Sequence, residues 1–132
     1  MTIAVDTSAL MAIVLGEHDA LPFARALAAN SGDACISAAT LVEATIVAEG
    51  RQGTAAAQDL ATVLREARVS VVPLDASQAS LASSAWRRFG KGRHPAALNL
   101  GDCYSYALAR NLGAPLLFKG DDFGQTDIAS AL

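Results

Sequence analysis

Four of the places where this sequence carries acidic residues could together support chemistry, and each lies in or beside a predicted helix or strand. They are Asp6, Glu43, Asp102 and the neighbouring pair Asp121 and Asp122. Taken singly, each has an ordinary explanation, because acids often cap helices or lie solvated in turns. Taken together, they form an all-oxygen set without histidine or thiolate, and such ligands suit the hard cations Mg²⁺ and Mn²⁺.

Carboxylates that are brought close together repel one another. One like-charge pair about 4 Å apart costs on the order of 4 kcal/mol at an effective dielectric near 20. A cluster of these acids would therefore need a cation among them. Acid-only clusters of this kind usually serve phosphate chemistry, in which a metal ion activates water and stabilises the leaving oxygen.

The predicted elements around these acids explain how they could converge. Apolar runs predict four strands, at residues 3–5, 34–36, 69–74 and 114–118. Helical stretches separate them, which favours a parallel sheet covered on both faces. Asp6 and the pair Asp121 and Asp122 follow strands, and Asp102 begins the helix that leads into the last strand. The carboxyl ends of parallel strands share one edge, where open α/β sheets place their ligands.

Two details of the helices bear on the acids. Thr7 or Ser8 is the predicted N-cap of a first helix over residues 9–15. Helices are also predicted over residues 38–52 and 55–67, and the first of these places Glu43 on one face with Ile46 and Val47. If that face packs, its carboxylate must be paired or bind a cation. The alternative is a partly exposed Glu43 at the edge of the apolar stripe.

Composition limits the class of protein. The 132 residues, 52% of them hydrophobic, predict one domain over residues 1–132 with a single buried core. The net charge of −3 argues against indiscriminate coating of nucleic acid. Cys35 and Cys103 form no CxxC pair and predict reduced core thiols in a cytoplasmic protein. No apolar run reaches the roughly 18 to 20 residues of a membrane helix, and no signal peptide is predicted.

Positive charge is concentrated just before Asp102. The basic residues are Arg87, Arg88, Lys91 and Arg93, with His94 beside them. They predict either a solvated helix end or a clamp for phosphate groups beside the acids. Trp86 and Phe89 fall at helical spacing with Ala82 and Ala85, which favours a core or interface role over base stacking.

Several motifs together resemble one family. They are Val5-Asp6-Thr7-Ser8-Ala9-Leu10, Ser37 with Glu43, Leu100-Gly101-Asp102-Cys103, Phe118-Lys119-Gly120-Asp121-Asp122-Phe123 and Thr126-Asp127-Ile128. They span essentially the whole chain and resemble the PIN-domain ribonucleases, more narrowly the VapC-type toxins of bacterial toxin–antitoxin pairs. The resemblance implies a three-layer α/β/α sandwich around a mainly parallel sheet of four to five strands. It also implies an Mg²⁺- or Mn²⁺-dependent endoribonuclease that inhibits translation, forms a homodimer and is neutralised by a cognate VapB-type antitoxin.

The resemblance assigns roles to the acids. Asp6, Glu43 and Asp102 match three acidic positions of the family, as catalytic residues and metal ligands. Asp122, directly before Phe123, is the better match for the fourth acid, with Asp121 as the second choice. Asp6 and Asp102 are expected to hold the first metal ion.

The resemblance also names supporting residues and products. Asp127 matches an acid expected in the outer shell, and Thr7 or Ser8 matches a hydroxyl expected to orient Asp6 or a metal-bound water. In-line attack by water would leave a 5′-phosphate and a 3′-hydroxyl without a covalent enzyme intermediate.

Two other classes of protein share some of these features. A strand that ends in Asp-Thr-Ser superficially resembles the nucleophile loop of haloacid dehalogenase-type phosphatases. Those enzymes would need a second Asp two residues after Asp6, where this chain has Ser8. A PIN-like module that only binds RNA or protein is the other alternative, but such modules usually lack one or more acids, and here all four positions are filled.

Overall fold

The computed structural model describes all 132 residues and contains four strands and five α-helices. The strands are β1 (Ile3–Val5), β2 (Ala34–Ser37), β3 (Ser70–Val72) and β4 (Leu116–Leu117). The helices are α1 (Thr7–Val14), α2 (Ala20–Ala29), α3 (Ala38–Glu66), α4 (Ala76–Phe89) and α5 (Leu100–Leu112), and a 3₁₀ turn covers Phe123–Gln125. None of the helices combines the length and apolar character needed to cross a membrane.

The strands form one parallel sheet in the order β3-β2-β1-β4. β1 is central, with Ala4 opposite Cys35 on one side and Leu116 on the other. Because all four strands run in one direction, their carboxyl ends lie at a single edge. The predicted α/β class with a parallel sheet is confirmed, and the sheet has four strands.

The side chains of each strand point alternately to the two faces of the sheet, and this divides the core into two apolar clusters. Ile3 and Val5 pack with residues of α1, α2 and α3, whereas Ala4 packs with residues of α4 and α5. Leu117 and Leu116 of β4 divide between the same two clusters. Successive strand side chains point to opposite faces, so one short strand contributes to both cores. The result is the expected three-layer α/β/α arrangement.

The first helix begins earlier than the sequence suggested. Asp6 itself is the N-cap of α1, with extended backbone, and it accepts a hydrogen bond from the Ser8 amide. The expectation that Thr7 or Ser8 caps this helix is therefore wrong. An Asp at the end of a strand already has the backbone conformation of a cap, so the helix can start at the next residue.

The long helix α3 differs from the predicted packing pattern. Its buried positions near the amino end are Thr40, Ala44 and Ala48, whereas Ile46 is 65% exposed. Glu43 is half-buried at the edge of this small-residue face. The prediction that Ile46 lies on the packing face is thus wrong, whereas Val47 does pack against the core. Glu43 takes the alternative position, partly exposed at the edge of the packed face.

Two aromatic residues near the end of α4 differ in their burial. Phe89 is buried together with Ala82 and Ala85, as expected for a core position. Trp86, in contrast, is 48% exposed and does not belong to the core. Both belong to the same helix, but only Phe89 faces α5 and the sheet.

Helix α3 is interrupted at Gln52 and Gly53, whose backbone angles are not helical, and this break gives a test of the fold. Gly53 has a φ of +77° and a ψ of −170°, whereas Gly50 is helical, and a Cβ at either position would meet nothing within 4 Å. We expect Gly53→Ala to lower the free energy of unfolding by about 1–3 kcal/mol, because this backbone region is essentially restricted to glycine. Gly50→Ala is the matched control and should raise it by about 0.5–1 kcal/mol. Urea unfolding of both variants measures the difference, and equal effects would contradict the described break.

Candidate active site

An open cleft of about 430 Å³ lies at the carboxyl edge of the sheet. Three of the predicted site residues line it: Asp6 follows β1, Glu43 lies on α3 and Asp102 lies in the first turn of α5. Glu17, between α1 and α2, is the fourth acidic residue of the lining. These three predicted site residues are therefore brought to one place, although 96 positions separate the first from the last.

Asp6 is 4% exposed, and its carboxylate is held by three donors. Oδ2 accepts hydrogen bonds from the Ser8 amide at 3.0 Å and from the Ser8 hydroxyl at 2.6 Å. Oδ1 accepts one from the hydroxyl of Ser105, on α5, at 2.5 Å. A buried carboxylate is tolerated when its oxygens are satisfied in this way. Ser8 thus orients Asp6. The sequence had left open whether Thr7 or Ser8 has this role.

Glu43 is positioned by a hydroxyl and by a glycine. The hydroxyl of Thr7 donates to Glu43 Oε1 at 2.5 Å. Thr7 therefore orients Glu43 and not Asp6. A Cβ added to Gly101 would collide with the Glu43 carboxylate. The absence of a side chain at Gly101 is what lets Glu43 approach the amino end of α5.

Asp102 takes part in a capping box at the start of α5. Its Oδ2 accepts from the Asn99 amide at 3.0 Å, and its own amide donates to Asn99 Oδ1 at 2.9 Å. The pKa of Asp102 is raised to about 6, chiefly by burial and also by the charges of Asp6, Asp122 and Glu43, against the opposing Asn99 hydrogen bond. A raised pKa means that the metal-free site resists carrying its full negative charge.

The fourth acid comes from the segment after β4. Asp121 and Asp122 are both exposed and lie outside the lining of the cleft. Asp122 is close enough to raise the pKa of Asp102, whereas Asp121 is not among the groups that do so. This electrostatic contact distinguishes Asp122 from its neighbour.

Asp127 lies in a different network from the cleft acids. It accepts a hydrogen bond from the Tyr106 hydroxyl at 2.8 Å and pairs with Arg88 at 3.5 Å and Arg110 at 3.8 Å. Burial opposes its ionisation, but the Tyr106 hydrogen bond and the two guanidinium groups hold the pKa of Asp127 below its usual value. Burial and the Asp127 contact raise the pKa of Tyr106 to about 12.

The contacts of Asp127 with Tyr106, Arg88 and Arg110 place two charged residues away from the groups predicted for them. Asp127 is not placed beside Asp6, Glu43 or Asp102, because its two arginine partners and Tyr106 hold it at the other side of α5. Arg88 is likewise drawn away from Arg87, Lys91 and Arg93 by its contact with Asp127. Successive residues near the end of a helix point in different directions, so a run of basic residues does not form one surface.

Lys119 is the cation nearest in sequence to the acidic segment after β4, but it is used elsewhere. Its Nζ contacts Glu17 at 3.0 Å and Asp19 at 2.9 Å, which ties the α1–α2 turn to the end of β4. Its backbone amide donates to the Ser8 hydroxyl at 3.0 Å. None of the four catalytic candidates, Asp6, Glu43, Asp102 and Asp122, forms an ion pair with a basic side chain.

The donor set fits a hard divalent cation in its chemistry. In the described conformation no three His, Cys, Asp or Glu side chains are arranged to enclose a metal ion, since most carboxylate oxygens are turned toward protein donors. Glu43 Oε2 and Asp102 Oδ1 accept no hydrogen bond from the protein. All the available ligands are oxygens, which suits Mg²⁺ or Mn²⁺. Arg51 and Lys119 also line the cleft, but neither forms an ion pair with these acids.

Three residues that support the site were missed at the sequence level. Ser105 follows Asp102 by three positions and Asn99 precedes it by three, so helical spacing and the Asn-x-x-Asp capping pattern could have identified both. Gly101 belongs to the motif Leu100-Gly101-Asp102-Cys103, but helical spacing and capping patterns assign it no role. Its importance depends on contact with Glu43, which is 58 positions away and brought near only by the fold.

Comparison with known proteins places the chain in a well-populated family. The PIN-domain family model matches residues 3–129. A ribonuclease VapC of Mycolicibacterium smegmatis is 48% identical over 126 residues, which cover 96% of this chain and 97% of the relative. Ribonuclease VapC30 of Mycobacterium tuberculosis is 46% identical over 126 residues, covering 96% and 95%.

Solved structures resemble the fold. The crystal structure of Mycobacterium tuberculosis VapC20, described as a sarcin-ricin loop cleaving toxin, superposes with a TM-score of 0.80 at 22% identity and covers 97% of both chains. The DNA-bound VapBC complex of Salmonella typhimurium gives a TM-score of 0.73 at 18% identity, covering 98% of this chain and 96% of that one. At these identities the superpositions support the three-layer fold.

The buried contact between Ser105 and Asp6 can be tested through stability. We expect Ser105→Ala to lower the free energy of unfolding at neutral pH by about 1.5–3 kcal/mol, because a buried carboxylate oxygen loses its donor. Ser83→Ala removes an exposed hydroxyl that bonds only to its own helix, and it should change stability by less than about 0.5 kcal/mol. Urea unfolding compares the two variants, and equal small effects would show that Ser105 does not support Asp6.

Proposed function

The chain belongs to the PIN-domain family and is an endoribonuclease toxin of the VapC type, and we propose that its cleft acids bind the divalent cation used for RNA hydrolysis. The proposed ligands of Mg²⁺ or Mn²⁺ are Asp6, Glu43, Asp102 and Asp122. One observation carries this proposal. The pKa of Asp102 is raised to about 6 by burial and by the neighbouring acids, and no basic side chain pairs with the group.

In the proposed reaction, different side chains orient the acids and provide oxygens for the cation. Asp6 is fixed by Ser8 and Ser105, so its carboxylate is oriented before any ligand arrives. Glu43 and Asp102 each offer one carboxylate oxygen without a protein donor. A bound divalent cation supplies the charge that activates water and stabilises the phosphodiester oxygens. The proposed products carry a 5′-phosphate and a 3′-hydroxyl, and no covalent enzyme intermediate forms.

Arg87, Lys91 and Arg93 are proposed to hold RNA phosphates, and Arg88 is not part of this clamp because it pairs with Asp127. All three side chains are exposed; Arg87 lies in the last turn of α4, and Lys91 and Arg93 follow its end. Replacing Lys91 and Arg93 with Ala should weaken RNA binding and flatten its salt dependence, since each lost phosphate contact removes about one unit of slope. The pair Arg65→Ala and Arg68→Ala is the control. Unchanged slopes in the Lys91 and Arg93 variant would contradict the clamp.

Further proposals concern the assembly of the protein. We propose that the 132 residues form a single PIN domain, that two copies form a homodimer and that a cognate VapB-type antitoxin neutralises the toxin and so releases translation. The exposed Val42 and Ile46 of α3 give apolar surface that an interface could cover. Light scattering of the chain alone, and again with the antitoxin, would measure both assemblies, and a monomer in both samples would contradict them.

The cation-dependent reaction is tested with a labelled total RNA pool. We expect discrete fragments in Mg²⁺ or Mn²⁺ and none in EDTA. Asp6→Asn should reduce the cleavage rate by about 100-fold or more, because several kcal/mol of charge stabilisation depend on the cation that Asp6 helps to hold. Asp59→Asn, an exposed Asp on α3 outside the cleft, is the matched control and should cleave normally.

Two results would oppose this mechanism. Full cleavage in EDTA, or by the Asp6→Asn protein, would show that the cleft acids do not bind a required cation. If the folded, antitoxin-free chain cleaves no RNA under any condition, the non-catalytic binding module becomes the better interpretation.

A further inference from the structure

A second cavity, of about 730 Å³, lies between α4 and α5 beside the acidic cleft. Its lining includes Trp86, Arg87 and Lys91 from the end of α4 and the residues after it, and Leu100 and Tyr104 from α5. Asn99 lines both this cavity and the acidic cleft, so the two adjoin at this residue. A strand bound in the cleft therefore has the cavity as its neighbour on the Asn99 side.

The cavity combines apolar surface with positive charge. Trp86 is 48% exposed and Leu100 is 69% exposed, although both are large apolar residues. Arg87 and Lys91 are also exposed and carry no ion pair with an acidic side chain. An exposed aromatic ring among free cations is the combination that single-stranded nucleic acids occupy, because bases stack on the ring while phosphates meet the charges.

The indole ring of Trp86 is held in place by its neighbours. The guanidinium carbon of Arg93 lies 4.7 Å from the ring centroid, and Arg93 Nε donates to the Arg87 carbonyl at 3.2 Å. Gly90 lies against the ring edge, where an added Cβ would come within 2.6 Å of the indole Cδ1. A ring fixed before binding loses little conformational freedom when a ligand stacks on it.

We propose that this cavity is a subsite for an unpaired nucleobase of the RNA, which stacks on Trp86 while Arg87 and Lys91 contact the adjoining phosphates. The base belongs to a nucleotide close to the bond that is cut, because Asn99 connects the cavity to the acids. The subsite would favour RNA in which that nucleotide is unpaired. This inference rests on the proposed function for its choice of RNA as the ligand.

The protein contains one tryptophan, so its fluorescence reports directly on the subsite. The experiment uses the full-length chain with Asp6→Asn to suppress cleavage. A short single-stranded RNA with a terminal dye is titrated in parallel with an abasic ribose-phosphate oligomer of equal length. Dye anisotropy gives the dissociation constant, and the indole emission reports stacking.

We expect the RNA to quench Trp86 and to bind about ten-fold or more tightly than the abasic oligomer, which should leave the emission nearly unchanged. Adding Trp86→Ala should weaken RNA binding by about ten-fold or more and should have little effect on the abasic oligomer. Trp86→Phe keeps an aromatic face and should retain most of the affinity. Leu112→Ala, at the other end of α5, removes an exposed apolar side chain as a matched control and should bind normally.

Three outcomes would overturn the subsite. They are equal binding of RNA and the abasic oligomer, RNA affinity unaffected by Trp86→Ala, and emission changes that depend on protein concentration alone, which would indicate an interface between copies of the chain. Cleavage by the unmodified chain is scored separately. Cleavage without any effect of Trp86 on binding removes only the subsite, whereas Trp86-dependent binding without cleavage removes only the hydrolytic mechanism.

Discussion

Repulsion among carboxylates at one edge of a parallel sheet is the constraint on which this structure depends. Asp6, Glu43, Asp102 and Asp122 interact there without a basic partner, and burial together with that repulsion raises the pKa of Asp102 to about 6. An arrangement of this kind opposes stability and persists only when the surrounding structure holds it. It becomes favourable when a divalent cation is present, so the same repulsion that weakens the metal-free site supports its proposed chemistry.

The fold holds these acids through short, specific contacts from rigid elements. Ser8 and Ser105 satisfy the buried Asp6, Thr7 orients Glu43, and Asn99 fixes Asp102 in a capping box. The donors come from α1, α5 and the residue that caps α5, which are themselves anchored by the two apolar cores on either side of β1. Packing on both faces of β1 thus fixes the elements that position the side chains of the cleft.

Much of this arrangement could be predicted from local sequence patterns. The strand and helix alternation predicted the parallel sheet, and the motifs around Asp6, Glu43 and Asp102 predicted which acids share the cleft. Side-chain direction was harder to predict: Ile46 and Trp86 are exposed, and Arg88 turns to Asp127, because tertiary packing decides which helix face is covered. The role of Gly101 could not have been identified from the sequence, since it depends on Glu43 approaching from another helix.

The central claim is that the cleft acids form a divalent cation site, and diffraction from crystals of the unmodified chain grown with Mn²⁺ tests it most directly. We predict an anomalous peak in the cleft with oxygens of Asp6 and Asp102 about 2 Å away, and with Glu43 or Asp122 bound directly or through water. Crystals of the Asp102→Asn chain should show a weaker peak or none. A fully ordered cleft without a peak at saturating Mn²⁺, or a peak only at other residues, would contradict the account.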